Sequence, residues 1–210
     1  NYYEYDNEVD NYGQDHFQLH FSQLINENIK ANAALHYTHG AGYYEQYRKA
    51  DDFSSYGLSD LYIGSDTISS TDLIRRRWLD NDFYGLTYNF LYQNNKLDMV
   101  LGGAYNIYDG DHFGEIIWTE YASNSAIRDR YYDNKGEKRD MNIFLKSEYK
   151  LSEKLTSFID LQYRSVDYAT AGTDNDLQTL DVDTSFSFFN PKLGLNLELN
   201  NPQFFSKLLA

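Results

Sequence analysis

Apolar residues recur at every second position through several stretches of this chain. From His16 to Ser22 the odd positions hold Phe17, Leu19 and Phe21, while His16, Gln18, His20 and Ser22 fill the even ones. After Asn26-Glu27-Asn28 the set resumes as Ile29, Ala31, Ala33, Leu35 and Tyr37, with Lys30, Asn32, His36 and Thr38 on the opposite parity. Two alternating runs around a short polar segment predict a β-hairpin. The pattern returns three times. Tyr84, Leu86, Tyr88, Phe90 and Tyr92 lead into Gln93-Asn94-Asn95-Lys96, and Leu97, Met99, Leu101, Tyr105 and Ile107 follow. Met141, Ile143, Leu145 and Tyr149 precede Ser152-Glu153-Lys154, and Leu155, Ile159, Leu161 and Tyr163 come after. Phe189, Leu193, Leu195, Leu197 and Leu199 run into Asn200-Asn201-Pro202, beyond which 203–210 is too short for a full strand.

The connections alternate in length. Short turns are predicted at 26–28, 93–96, 152–154 and 200–202, all at one end. Long polar connections are predicted near 40–80, 109–139 and 168–187. Loops of that length are uncommon in compact soluble domains. Outer-membrane barrels have this asymmetry by construction, with tilted strands of about ten residues. The expected fold is therefore all-β: an antiparallel up-and-down meander of about seven to eight strands spanning 1–210, part of a large transmembrane β-barrel. A short turn at the opposite end, or a helix longer than two turns within 84–107, would defeat it.

Composition narrows the partners. A net charge of −14 argues against nucleic acid, because phosphate contacts need clustered Lys and Arg. Without Cys, neither a disulfide framework nor a thiolate metal site can form. No apolar run reaches the roughly 20 residues of a membrane-spanning helix. Asn1-Tyr2-Tyr3-Glu4 lacks Met and any signal-peptide character, and the chain stops at Leu208-Leu209-Ala210, so both ends are expected to be cuts. Tyrosines at strand ends, among them Tyr84, Tyr92, Tyr105, Tyr108, Tyr149 and Tyr163, suit interfacial girdles. Ordinary β-propensity also accounts for them. Gly102, Gly103 and Gly194 weaken packing but are tolerable in a curved barrel wall. The competing fold is a soluble sandwich, whose apolar face packs inward.

Several segments resemble Bacteroidetes TonB-dependent receptors. They are His36-Tyr37-Thr38 followed by Gly40 to Tyr47, Asp72 to Gly85 with its Arg75-Arg76-Arg77-Trp78, Gly102 to Glu115, and Phe188 to Leu195 around Asn190-Pro191. The resemblance covers nearly the whole chain. It implies a barrel of about 22 strands plugged by an N-terminal domain. The plug and the remaining strands would be missing from this stretch. It further implies residence in the bacterial outer membrane and uptake of a scarce nutrient such as an iron–siderophore, haem or cobalamin. The implied partners are outer-membrane lipid, a small-molecule or metal-chelate cargo, and the TonB complex acting through the plug. The alternative is a self-contained small outer-membrane barrel with a structural, adhesion or enzymatic role.

The candidate residues are few. Tyr43, Tyr44, Tyr47, Arg76 and Trp118 fall in the predicted loops, where aromatic and cationic side chains can capture cargo. Arg75, Arg76 and Arg77 suit an anionic ligand or lipopolysaccharide phosphate; the plainer reading is local counter-charge to Asp72, Asp80 and Asp82. His16, His20 and His36 could supply a metal-binding pair, but a polar hydrogen-bond network is the simpler expectation. Asp109, Asp111 and Glu115 have calcium-type oxygens without the EF-hand spacing. No nucleophile elbow, phosphate loop or carboxylate pair points to catalysis, so no cofactor, metal or catalytic residue is expected.

Overall fold

The computed structural model describes residues 5–198. Nine strands follow in order: β1 (Asp10–Asn26), β2 (Ile29–Asp52), β3 (Leu61–Ile63), β4 (Asp66–Ile68), β5 (Ser70–Gln93), β6 (Leu97–Thr119), β7 (Arg130–Lys150), β8 (Leu155–Thr173) and β9 (Thr179–Leu197). Seven form one antiparallel sheet in the order β1-β2-β5-β6-β7-β8-β9, while β3 and β4 make a small separate hairpin. The sheet is an all-antiparallel meander, as the alternation predicts. Among the described residues β1 and β9 do not pair with each other. The turn expected at Asn200–Pro202 lies outside the described residues.

Three short turns sit at one end, and the same local device closes each. Asn26 Oδ1 accepts the N–H groups of Asn28 and Ile29, both at 2.9 Å. Asn94 Oδ1 accepts those of Lys96 and Leu97 at 2.8 Å. Ser152 Oγ accepts those of Lys154 and Leu155 at 3.3 and 3.1 Å. A short polar side chain that bonds the backbone two and three residues on fixes the reversal without help from the sheet.

The long connections differ from expectation. Most of 40–80, 109–139 and 168–187 is strand, and the true connections are 53–69, 120–129 and 174–178. The strands outrun the apolar stretch because their ladders continue through polar pairs, such as Asp111 with Lys135 and Glu45 with Arg76. Hydrophobic alternation cannot register those pairs. The last connection has only five residues, so the expected rule of long connections at that end fails there.

Register assigns the faces. Across the ladders run rows such as Leu35–Leu86–Tyr105–Met141 and Phe90–Leu101–Leu145–Leu161–Pro191. Opposite them run Ser22–Asn32–Asn89 and Gln18–His36–Gly85–Asn106–Asp140. The polar face is not pure, since Leu91, Val100, Phe144, Phe158, Phe186 and Phe188 share it. Three side-chain bonds on this face reach across an intervening strand: Tyr12 to Asn81, His36 to Asn106 and Arg77 to Tyr131. Among the described residues none does so on the apolar face. The polar face is thus the concave one, and the apolar face is convex and bare, with Phe17 61% and Leu193 74% exposed.

The apolar band keeps an even height while it steps along the register. The ladder row through Phe17, Tyr37 and Tyr84 arrives at Ser185 on β9, yet the band there begins at Phe189, four positions on. The row through Ile29 and Tyr92 arrives at Leu193, and the band continues four positions further to Leu197. Four residues are about 13 Å along a strand, against about 29 Å of sheet width, a lean of roughly 25°. From Tyr84 to Tyr92 the band measures about 26 Å along its strand.

A small core sits at the end away from the short turns, on the concave face. The 3-10 turn Phe53–Tyr56 folds over it. Tyr56 packs with Leu73, Ile116, Tyr131 and Tyr132, with Leu58 at the margin. Ile116 and Tyr132 reach this face in regular register, and the irregularity at Gly114/Glu115 leaves Tyr131 outside the register and packed with them. At Gly114 a Cβ would lie 2.3 Å from the Tyr132 ring, so only glycine lets that ring close down.

Leu73 is fully buried beneath this cap. Leu73→Ala is expected to destabilise the cap by about 2–5 kcal/mol. Faster chymotrypsin cleavage within 53–69 would report it, and an unchanged rate would mean that other contacts hold the segment.

Candidate functional site

The five candidates from the sequence all lie on strands rather than loops, and they divide between the faces. Tyr43, Tyr47, Arg76 and Trp118 lie on the convex side, above the apolar band. Tyr44 lies on the concave side.

On the convex side a ladder of rings and cations crosses four strands. Tyr43 on β2 meets Trp78 on β5 at 4.6 Å between centroids, and Trp78 stacks on Phe113 of β6 at 5.7 Å and 13°. Arg76 covers the Tyr43 ring at 4.1 Å and Arg130 the Phe113 ring at 3.6 Å. The indole N–H of Trp78 donates to Glu115 at 2.9 Å. Each cation already has an anionic partner: Arg76 bonds Glu45 at 2.5 Å and Arg130 bonds Asp133 at 2.5 Å. Tyr5, Tyr47, Ile74 and Trp118 border a shallower hollow of about 470 Å³ on the same side.

Glu45 is the anchor of this group, only 5% exposed. Burial pushes its carboxyl up, but hydrogen bonds from Tyr5, Arg76 and Asn7 outweigh it and hold it below the ordinary value of 4.5. Asp72 is likewise held low by the Tyr47 hydroxyl and the Ala50 N–H.

On the concave side lies a cavity of about 600 Å³, bordered by Tyr12, Tyr44, Arg77, His112, Tyr132 and Asn134, with Asp174 and Asn175 reaching in from the β8–β9 connection. Arg77 donates to Tyr131 at 3.3 Å, to Tyr44 at 3.0 Å and to Asn175 at 3.5 Å. Two residues along the same face, Arg75 donates to Tyr56 and Gln46, each at 3.0 Å. The arginine triplet therefore splits by parity. Counter-charge to Asp72, Asp80 and Asp82 does not explain it, because Asp72 and Asp82 bond Tyr47, Tyr37 and His39 instead.

The remaining candidates fall into ordinary hydrogen-bonded roles. His16 bonds Thr38 at 2.9 Å, His20 bonds Gln18 at 3.0 Å and His36 bonds Asn106 at 2.9 Å, all on the concave face. Asp109, Asp111 and Glu115 alternate along extended β6, where Asp109 meets Lys135 at 2.8 Å. Among the described residues no cluster of three His, Cys, Asp or Glu could hold a metal ion.

Sequence reasoning passed over Trp78, Phe113, Glu45 and the tyrosine pair 131–132. Counting strand parity back from Tyr84 would have placed Trp78 and Arg76 together and Arg77 opposite. The tyrosine pair depends on an irregularity that no periodicity reveals.

No protein-family profile matches the chain, and no curated protein matches it either. What the structure defines is an all-β chain with an antiparallel meander sheet, a bare apolar convex face and a polar concave one.

Because the Glu45 carboxyl is depressed in the folded state, its stabilisation is complete above the ordinary glutamate range and is lost as pH falls through the lower folded value. In a Trp118→Phe background, leaving Trp78 as the reporter, indole emission is expected to shift in that acid window. Glu45→Gln should abolish the shift and cost about 1.5–3 kcal/mol. An acid transition that persists in Glu45→Gln would assign it to another group.

Proposed function

We propose that this chain forms part of the wall of a bacterial outer-membrane β-barrel of the TonB-dependent receptor type, serving the uptake of a scarce nutrient such as an iron–siderophore, haem or cobalamin. The observation that carries the reading is the bare convex band of even height that steps with the register. A slab of fixed thickness crossing strands that all lean one way produces such a band. Its height approaches the roughly 25 Å apolar belt of outer-membrane barrels, whose strands lean about 35–45°. A soluble sheet would cover those rows with a second layer, and among the described residues no apolar layer does so; the buried hydrophobic residues are Phe53, Tyr56, Leu73, Phe113, Ile116, Tyr131 and Tyr132. Among them, too, no helix is long and apolar enough to cross a membrane, which bears only on helices.

On this reading the concave face lines the lumen, and the convex side above the band meets the outer surroundings. Cargo contact then belongs to Tyr44 and the cavity beside it. Tyr43, Tyr47, Arg76 and Trp118 become a rigid exterior brace. The barrel positions the cargo; the energy comes from the TonB complex through a plug, and no catalytic step is assigned to the wall.

Leu101 lies near the middle of the band between Phe90 and Leu145, and Asp98 lies on the opposite face. A fluorophore on Cys at 101 is expected to be quenched by brominated lipid, and one on Cys at 98 to be spared. Leu101→Arg should destabilise the protein in vesicles by about 2–4 kcal/mol. Equal quenching at both positions, or full solubility without detergent, would sink the membrane reading.

Transport is tested separately. Cells lacking the gene should lose uptake of one labelled cargo among ferric siderophore, haem and cobalamin, and an uncoupler should abolish that uptake in wild-type cells. Unchanged uptake of all three, with a folded barrel still in the outer membrane, would favour the small structural barrel.

A further inference from the structure

We infer that the concave cavity is an oxyanion-binding site, with Arg77 as its cation and a small molecule bearing a carboxylate or phosphate group as its ligand. The inference rests on the reading of the concave face as the lumen wall, and it names the chemical class of the cargo at that site.

The chain carries a net −14, and several of its arginines pair with carboxylates: Arg76 with Glu45, Arg48 with Asp51, Arg130 with Asp133, Arg139 with Glu137 and Arg164 with Asp140. Half-buried Arg77 and its neighbour Arg75 do not. Among the described residues neither has a carboxylate within 4.0 Å. Asp10 and Asp174 border the cavity without reaching Arg77. Semi-enclosed cations are ordinarily paired, and Arg77, which borders the cavity with neutral partners only, is poised for an anion from outside.

The partners it does have favour the same ligand. Tyr44 and Tyr131 accept from Arg77 through their oxygens, which leaves each phenolic proton to donate. Aromatic walls from Tyr12, Tyr44 and Tyr132 lower the local polarity, which strengthens each charge-assisted bond. The β8–β9 connection shields the site through Asn175, whose amide oxygen lies 3.5 Å from Arg77.

The test is equilibrium dialysis of the complete protein, purified from membranes in detergent, against labelled citrate and labelled inorganic pyrophosphate, with glucose as the neutral control. Binding of either anion but not glucose is expected. Citrate alone would specify carboxylate recognition, and pyrophosphate alone phosphate recognition. Arg77→Gln should weaken binding 10- to 100-fold, the usual worth of hydrogen bonds to a charged group. Arg77→Lys, which keeps the charge but loses the fork, should weaken it less. Arg139→Gln on the convex face should leave it unchanged. If Arg77→Gln does not fold, Tyr44→Phe and the salt dependence of the wild-type protein carry the test, since affinity for a charged ligand must fall as salt rises. Absence of binding to both anions, or binding indifferent to these changes and to salt, overturns the site. Lipid quenching at position 101 is read on the same preparation, so a failed site with intact quenching leaves the barrel reading standing, and lost quenching with intact binding does the reverse.

Discussion

A slip of one residue between β2 and β5 would set Tyr37 beside Phe83 and Leu35 opposite Gly85, or, in the other direction, Tyr37 beside Gly85 and Leu35 opposite Thr87. Every apolar column of one strand would then face the polar columns of its neighbour. Register, enforced by the backbone ladder, is therefore the constraint on which the two faces depend. It is fixed from both ends of each hairpin. The side chains of Asn26, Asn94 and Ser152 set it at the turn. Rows such as Phe90–Leu101–Leu145–Leu161 hold it in the middle. Cross-strand pairs at this spacing contribute a few tenths to one kcal/mol each, and the ladders hold dozens of them.

Where the band ends, the same ladders carry different chemistry. Above it, strand β5 sends Arg76 and Trp78 to the convex side and Arg75 and Arg77 to the concave side. One tripeptide of arginines thus serves two environments with opposite needs. On the convex side charge is neutralised at once, and rings lie between the ion pairs. On the concave side charge is left to phenols and amides. The irregularity near Ile116 and Tyr131 makes this asymmetry possible, because it turns extra aromatic surface toward the concave face and gives the 53–69 segment something to cover.

The strands, the short turns and the two faces were legible in the sequence because period-two alternation is a direct image of a pleated ladder. The upper halves of the strands were not. Beyond Tyr84 toward the N-terminus, β5 reads Arg75 to Asp82 with scarcely an apolar alternation, and only the cross-strand partners on β2 and β6 reveal it as strand. The candidate residues suffered from the same blindness. Tyr43, Arg76 and Trp118 lie in sequence surroundings as polar as a loop's, although ion pairs and ring stacking hold them in regular extended structure. The cavity at Arg77 joins residues nearly a hundred positions apart, and no local pattern carries that information.

The meander order bears on how the chain acquires its shape. Each strand of the sheet pairs with the strand next to it in the chain, apart from the β3–β4 excursion, so contacts form between segments close in sequence, and assembly can proceed one hairpin at a time. The exception is the joint between β2 and β5, which must close across residues 53–69 rather than across a two-residue turn such as 27–28. The extra chain entropy of that longer closure is about 2 kcal/mol. The Phe53–Tyr56 cap, by docking on Leu73 beside the start of β5, shortens the free part of that loop. A segment that covers the finished core thereby also holds together the two strands whose meeting is entropically the most costly.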